Sequence, residues 1–447
     1  MRVLLSIALR NLFQAPVRSS LLALAIGLVT AFLVLLLSLS AGIADNLVTS
    51  ATTLSAGHVN VGGFWKPTAG TAFPIVTGMG AVRKVLEEKT PGLDYIVERH
   101  RGWGKIVSET GAVQAGLSGI VAADEERFFD RLMLAPEKDY KEGGSDQILG
   151  DPRKLSEPNT IVLFAGHAKK LKVGVGDVVT IKTETQSGAT NTADATVVAV
   201  AKDMGLLSTF AVFVPKSLVL QLYQLNEDTT GALWVYLKDR DKSEETMSVV
   251  RQALVDAGYQ LRDHEANPFF FKFEAVMGED WTGQKLDVTW WQDEVSFLTW
   301  VLTAFDTVTW FLTLILVVII AVGIMNAMWQ AVRERTKEIG TIRAIGMTAG
   351  KVLILFVAES LFLGFGATTL GALLGAGVAL GIDSLHIAIP SDAVRAILLS
   401  SELHLVVDPG SLVIAVLALT ACTGLAALWP SARAASLTPV KALQHAE

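Results

Sequence analysis

Four uncharged apolar runs, Ser20–Ser40, Val308–Met328, Leu361–Gly381 and Leu412–Trp429, constrain this chain more than any other feature. A bilayer core takes roughly 20 helical residues. Inside lipid the backbone must bond to itself, which a helix achieves. Each run is therefore predicted to be a membrane-spanning helix. The last and shortest is expected to stop at Pro430, which cannot continue a helix. Between the first two runs the chain has ordinary polarity and is long enough for a domain. The predicted fold class is a membrane protein: four transmembrane α-helices with a large α+β extracytoplasmic domain inserted between helices 1 and 2.

The totals agree. The 447 residues are 51% hydrophobic, with mean hydropathy +0.45, too apolar for an ordinary soluble protein and too polar for an all-membrane one. The net charge of -7 gives no basic footprint, so no nucleic-acid partner is expected. The single Cys422 excludes an intramolecular disulfide and a cysteine-based metal site.

Orientation follows from the positive-inside bias. Arg2, Arg10 and Arg18 precede the first run without an acid, and Arg333, Arg335, Lys337, Arg343 and Lys351 lie between the second and third. Between the third and fourth, Asp383, Asp392, Glu402 and Asp408 face Arg395 alone; Arg433 and Lys441 follow the fourth. Both termini and the 329–351 segment are expected inside the cell. Ser38-Leu39-Ser40 could end a cleavable signal peptide, but the apolar run exceeds the usual length of one.

The expected order is 1–18, an amphipathic interfacial helix; 19–53, the first span and an outward extension; 54–292, the α+β domain; and 293–328, a second extension and span. Then come 329–351, a cytoplasmic coupling loop; 352–381, the third span; 382–410, a short outer loop; 411–429, the fourth span; and 430–447, a cytoplasmic tail. The two extensions are expected to form a stalk. Arg2, Ser6, Arg10 and Gln14 recur every four residues, with Leu5, Leu9 and Leu12 on another face, as suits an interfacial helix. Within the domain, strands are expected at 58–63, 95–107, 114–121, 178–183, 196–201, 211–215 and 233–237, and helices at 80–88, 124–134 and 243–258. Residues 160–171 lead into a turn at Gly174, and 141–158 read as loop. Trp281, Trp290, Trp291, Trp300 and Trp310 gather ahead of and within the second run, as interfacial anchors do.

Little here suggests catalysis. Gly346-Met-Thr-Ala-Gly350-Lys351 lacks the glycine spacing of a phosphate-binding loop and precedes a span rather than following a strand. This chain is expected to bind no ATP, metal or other cofactor. His58, His100, His167 and His264 have no ligand spacing. Glu359, at the start of the third span, is expected to pair with Lys351 or Arg343 or to face water. Gly371-xxx-Gly375 and Gly377-xxx-Gly381 allow close helix approach, within one subunit or across a dimer. In the 329–351 segment, Arg333 and Lys337 interleave with Glu334 and Glu338 at i,i+4 spacing, and Ile339, Ile342 and Ile345 supply an apolar side. That pattern points to a docking helix rather than a plain turn.

From Arg333 to Gly381 the chain resembles the membrane core of MacB/FtsX-type ABC transporter permeases, on RERTKEIGTIRAIGMTAGK and the Gly-rich span behind Glu359. The ending Pro430-Ser-Ala-Arg-Ala-Ala…Thr438-Pro439-Val440-Lys-Ala-Leu443 and the segment Ile161–Ile181 are similar to further family signatures, the second to the family's periplasmic core. Gly57-His58-Val59-Asn60-Val61 is similar to the lipoprotein-releasing LolC/LolE type. The resemblance implies a bacterial inner-membrane protein with a MacB-like periplasmic core domain. It implies a non-catalytic subunit whose coupling residues, Arg333, Glu334, Lys337, Glu338, Ile339, Arg343 and Gly346, dock on a separate ABC ATPase that holds ATP and Mg. A second permease, in a homodimer or heterodimer, completes the assembly. The implied mechanism is mechanotransmission, and the favoured function is extraction of lipoproteins or lipids from the outer leaflet. Leu33, Leu37, Phe311 and Ile315 are the candidate substrate path. A periplasmic carrier or adaptor is a further candidate partner; export with a periplasmic adaptor and FtsX-like regulation of a cell-wall hydrolase remain alternatives.

Overall fold

The computed structural model describes residues 2–14, 16–185, 187–204, 208, 211–391, 394–395, 398, 400 and 402–436. The closing Thr438–Leu443 signature and Asp392 lie outside them. The chain divides into two compact units: a helical unit of Met1–Asp45, Val301–Ala388 and Glu402–Glu447, and an inserted unit of Asn46–Trp300 and Ile389–Ser401.

Helix α1 (Arg2–Gln14) precedes α2 (Pro16–Ala51), which opens with proline at the position where a missing N–H costs nothing. A π-helical turn at Thr52–Ala56 follows, then Gly57 at φ +65°. The inserted unit runs β1 (Val59–Thr68), β2 (Thr71–Phe73), β3 (Val76–Thr77), α3 (Met79–Lys89), β4 (Leu93–Val107), β5 (Ala112–Ile120), α4 (Glu126–Arg131), β6 (Thr160–Phe164) and α5 (Ala165–Leu171). It continues with β7 (Val178–Glu184), β8 (Thr190–Ala201), β9 (Ala211–Pro215), α6 (Lys216–Tyr223), β10 (Thr229–Thr230), β11 (Ala232–Leu237), α7 (Ser243–Asp256), α8 (Phe273–Gly278), β12 (Gly283–Trp290) and α9 (Trp291–Glu294). The remaining helices are α10 (Ser296–Glu334), α11 (Thr336–Ala344), α12 (Ala349–Ser384) and α13 (Pro409–Ser436).

The long strand β4 organises the inserted unit. Its first half pairs with β11, within a sheet ordered β12-β1-β11-β4. Its second half pairs with both β5 and β7, closing a ring of six strands, β4-β5-β9-β6-β8-β7. Inward side chains of that ring, among them Ile106, Leu117, Ile161, Leu163, Ile181, Val197 and Val212, form one core. The open sheet alternates. Val59, Val61, Leu233, Val235, Leu286 and Val288 face α3 and α7, where Val82, Leu86, Val250 and Leu254 meet them. The opposite face holds Trp234, Tyr236 and Val97.

All seven expected strands are present. The helix expected at 124–134 is a 3-10 turn at Ala122–Asp124 and the short α4, and residues 160–171 hold a strand followed by a helix. Residues 283–290, within the expected α+β domain but with no strand predicted there, form β12, paired with β1 at eight positions with Trp290 opposite Val59. Trp290 and Trp291 thus pack in the inserted unit, and Trp281 packs against the Phe64 and Phe269 cluster. Trp300 and Trp310 remain exposed, as interfacial anchors would be.

Among the described residues, four helices are long and apolar enough to cross a membrane. Pro430 does not end the last of them: α13 continues to Ser436. Proline deprives one carbonyl in the preceding turn of its donor. The next turn is nevertheless held, because Ala434 and Ala435 pack with Met328, Val332 and Ile339.

Candidate functional site

The expected coupling segment is a short helix fixed at both ends. Helix α10 runs six residues beyond Met328, to Glu334, and Arg335 breaks it at φ -100°, ψ 15°. The hydrogen-bond ladder crosses the break, since Arg335 N–H donates to Ala331 O (3.2 Å) and Ile339 N–H to Arg335 O (2.9 Å). Helix α11 ends at Gly346, whose φ of +106° a residue with a side chain rarely adopts, and Met347 N–H donates to Ile342 O across the turn. A Cβ on Gly346 would meet nothing within 4 Å, so conformation rather than space requires glycine.

Of the predicted coupling residues, Arg333, Glu334, Lys337 and Glu338 are exposed, Ile339 is buried in the helical core, and Arg343 is half-buried. Ile345 is 83% exposed, so the apolar side of the segment is split: one isoleucine faces the core and another faces out. The i,i+4 pattern of Arg333 with Lys337 straddles the break at Arg335.

Glu359 pairs with neither predicted partner. Both its carboxylate oxygens accept from Arg335 Nη1 at 3.2 Å, and the two side chains are 8% and 13% exposed. Arg335 Nη2 also donates to the backbone carbonyl of Asn11 in α1 (3.3 Å). Arg343 is drawn elsewhere, with Nη1 donating to Ala435 O in the last turn of α13 (3.0 Å). Beside it, the Arg433 guanidinium lies over the rings of Trp329 and Trp429. A cavity of about 20 Å³, lined by Leu12, Ser19, Met328, Glu359 and Thr423 among others, adjoins the ion pair. Sequence reading counted Arg335 only as a positive charge; nothing local in the sequence gives its partner 24 residues on.

The glycines divide. A Cβ on Gly371 would lie 2.3 Å from Gly27 O, and one on Gly375 2.6 Å from Ala31 O, so this pair brings α12 against α2 within one chain. Gly377 and Gly381 have nothing within 4 Å. The four path residues do not share one open surface. Leu33 is 3% exposed in the helical core and Leu37 packs beside it, while Phe311 and Ile315 are exposed on α10.

The inserted unit carries buried charge that is structural. Lys272 and Asp287 pair at 2.9 Å with no exposure. The Lys66 ammonium donates to the carbonyls of Val276 (2.7 Å) and Glu279 (2.5 Å) at the end of α8. Arg99 meets Glu125 at 2.8 Å between the rings of Phe128 and Trp234. Burial outweighs the attraction of Arg99 and pushes the Glu125 carboxyl up to about 7. Burial holds His58 and His100 down at about 4, with Arg240 and Lys216 respectively adding to it. Among the described residues, no group of three or more His, Cys, Asp or Glu is gathered as a metal site requires.

Comparison with known proteins accounts for both units. Residues 19–253 match the MacB-like periplasmic core domain, and residues 310–439 match the FtsX-like permease C-terminal family. The chain is 35% identical over 123 residues to the macrolide export ATP-binding/permease protein MacB of Chlorobaculum tepidum, covering 28% of this chain and 17% of that protein. It is 38% identical over 81 residues to the ABC transporter permease YtrF of Bacillus subtilis, covering 18% of each. The matched stretches are thus under a fifth of these relatives' lengths. The periplasmic region of MacB from Actinobacillus actinomycetemcomitans aligns at 14% identity with TM-score 0.30, over 55% of this chain and 94% of that region. The first of the two family matches alone spans more than half of the sequence, and the chain belongs to the MacB/FtsX-like family of ABC transporter permeases.

Proposed function

We propose that this chain is the membrane subunit of an ABC transporter that works by mechanotransmission. A separate ATPase, holding ATP and Mg, docks on α11 from the cytoplasm. Its closure moves the helical unit, and the movement passes along α2 and α10 to the inserted unit on the outer side of the inner membrane. Two permease subunits, alike or different, form the assembly. The observation that carries this reading is the build of α11. It is a nine-residue helix fastened to its own unit by Arg335, Ile339 and Arg343, with Lys337 and Glu338 exposed on it and Arg333 and Glu334 exposed at the adjoining end of α10. A face of mixed charge on a fixed helix suits a reversible protein contact.

The cargo is lipoprotein or lipid taken from the outer leaflet. The apolar face of α10, where Trp310, Phe311 and Ile319 are more than half exposed, supplies a lateral surface for an acyl chain. A second reading is export with a periplasmic adaptor, supported by the several matching relatives that bear the name macrolide export ATP-binding/permease protein. Affinity purification from native membranes, with mass spectrometry of bound proteins and lipids, separates them. Co-purification of an ATPase with lipoproteins or a lipoprotein carrier supports the first. An ATPase with an adaptor favours the second, and an ATPase with a cell-wall hydrolase favours a regulatory role. Recovery without any ATPase overturns the coupling reading.

A further inference from the structure

The segment that carries α11 holds two arginines, eight positions apart, that do the same thing at opposite ends. A helix leaves its last four carbonyls without intrahelical donors. Asn11 lies in the last described turn of α1 (Arg2–Gln14), and Ala435, whose fourth residue onward is Pro439 with no N–H to give, lies in the last described turn of α13 (Pro409–Ser436). Arg335 Nη2 donates to the carbonyl of the first at 3.3 Å and Arg343 Nη1 to that of the second at 3.0 Å. A cation at a helix C-terminus also meets the negative end of the helix dipole. Both contacts lie within the helical unit.

Arg335 is placed to do more than cap. It is the residue at which α10 gives way to α11, so its backbone is the pivot and its side chain the brace. One guanidinium nitrogen holds both oxygens of Glu359 in α12 while the other reaches α1. Such a buried pair is poor evidence for net stability, because removing two charges from water costs about as much as their attraction returns. Its better-attested use is to fix register. The packing agrees: Ala8 of α1 is fully buried against Leu355 and Ala358 of α12, so the brace secures a contact that small side chains make close.

We infer that Arg335 and Arg343 are positioning residues that fasten the C-terminal turns of α1 and α13 to the coupling helix, so that α1 moves with α11 when ATP is bound. This rests on the coupling reading above and extends it. Arginine suits position 335 because its planar fork reaches Glu359 and Asn11 O at once, which one lysine ammonium serves less well.

The test is hydrogen–deuterium exchange on the complex purified from native membranes with its ATPase, with and without ATP and Mg²⁺, following residues 5–14, 336–344 and 427–436. In the wild type, all three segments should change together. In Arg335→Met, the change at 336–344 should persist while that at 5–14 falls by about threefold or more. Arg335→Lys should recover part of it. Arg343→Met should silence 427–436 and leave 5–14 responsive. If Arg335→Met fails to assemble, Glu359→Gln, which keeps the shape and removes the charge, replaces it with the same expectation. A wild type that responds at 336–344 but not at 5–14 overturns the inference and leaves the coupling reading standing. A wild type silent at 336–344 overturns both. An Arg335→Met complex whose α1 still responds fully also overturns the inference.

Discussion

The two units bury apolar side chains by opposite rules. In the inserted unit, every residue of β11 is buried, and the fully buried Lys272 and Asp287 are paired. In the helical unit, α10 leaves Val308, Trp310, Phe311, Val318 and Ile319 more than half exposed. A continuous apolar surface of that size is rare on a soluble protein. The difference teaches that one chain is folded for two solvents. Water drives the first unit inward, and the second leaves its apolar face for lipid or another subunit.

The largest test of that contrast is the buried ion pair. Lys272→Ala alone leaves the Asp287 carboxylate uncompensated at 0% exposure and should cost the inserted unit about 3–5 kcal/mol in denaturant unfolding. A double Lys272→Met, Asp287→Leu variant should regain most of it. Next, two partly exposed residues, Ile319 at 53% and Val249 at 41%, should respond unequally. Ile319→Lys should oppose membrane insertion by about 2.5–3.5 kcal/mol, read as the inserted fraction in membranes. Val249→Lys, on the surface of α7, should change stability by no more than about 0.5 kcal/mol. Equal sensitivity at the two positions would break the comparison.

Helix contact gives a smaller effect. Gly371→Ala, whose Cβ would meet Gly27 O, should destabilise the solubilised protein by about 1–3 kcal/mol. Gly377→Ala, with open space around it, should be neutral or stabilise by up to about 1 kcal/mol and would sharpen the case that only the first glycine pair packs α12 on α2.

The smallest effects are pH slopes confined to the inserted unit. His100, buried with Nε2 2.9 Å from Thr229 O, is held at about 4 against an ordinary 6.5. As pH falls between those values the unfolded chain takes up a proton that the folded one refuses. Stability is therefore lost by up to about 1.4 kcal/mol per pH unit, and His100→Gln should flatten that loss. Glu125 has the opposite sign. Its pKa is raised to about 7, so the folded state retains a proton that the unfolded chain releases above 4.5. That contribution is lost as pH rises through about 7, and Glu125→Gln should remove it. Unfolding curves across pH 4–8 check both.

Much of this was legible in the sequence for a physical reason. Twenty uncharged apolar residues have few fates, and strands such as β1, β7 and β11 announce themselves by alternation or continuous apolarity. The misses have other causes. β12 does alternate, Leu286 and Val288 against Asp287 and Thr289, but in sequence its Trp290 reads as one of the interfacial tryptophans ahead of the second run. Closure of the strand ring depends on β4 meeting β7, a pairing about 75 residues apart that no local signal encodes. Arg335 with Glu359, and the arginine caps on α1 and α13, are likewise contacts between distant segments. Pro430 obeyed its local cost but was overruled by packing and by Arg343 beyond it.

The central claim is that α11 is the docking point for a cytoplasmic ATPase while the inserted unit lies across the membrane. A photo-crosslinking amino acid at Lys337, on the exposed side of α11, paired with the same probe at Val249, tests it most directly in intact cells. The account predicts an ABC ATPase adduct at 337 and none at 249. An ATPase adduct at 249, or its absence at 337 in a complex that retains the ATPase, would contradict it.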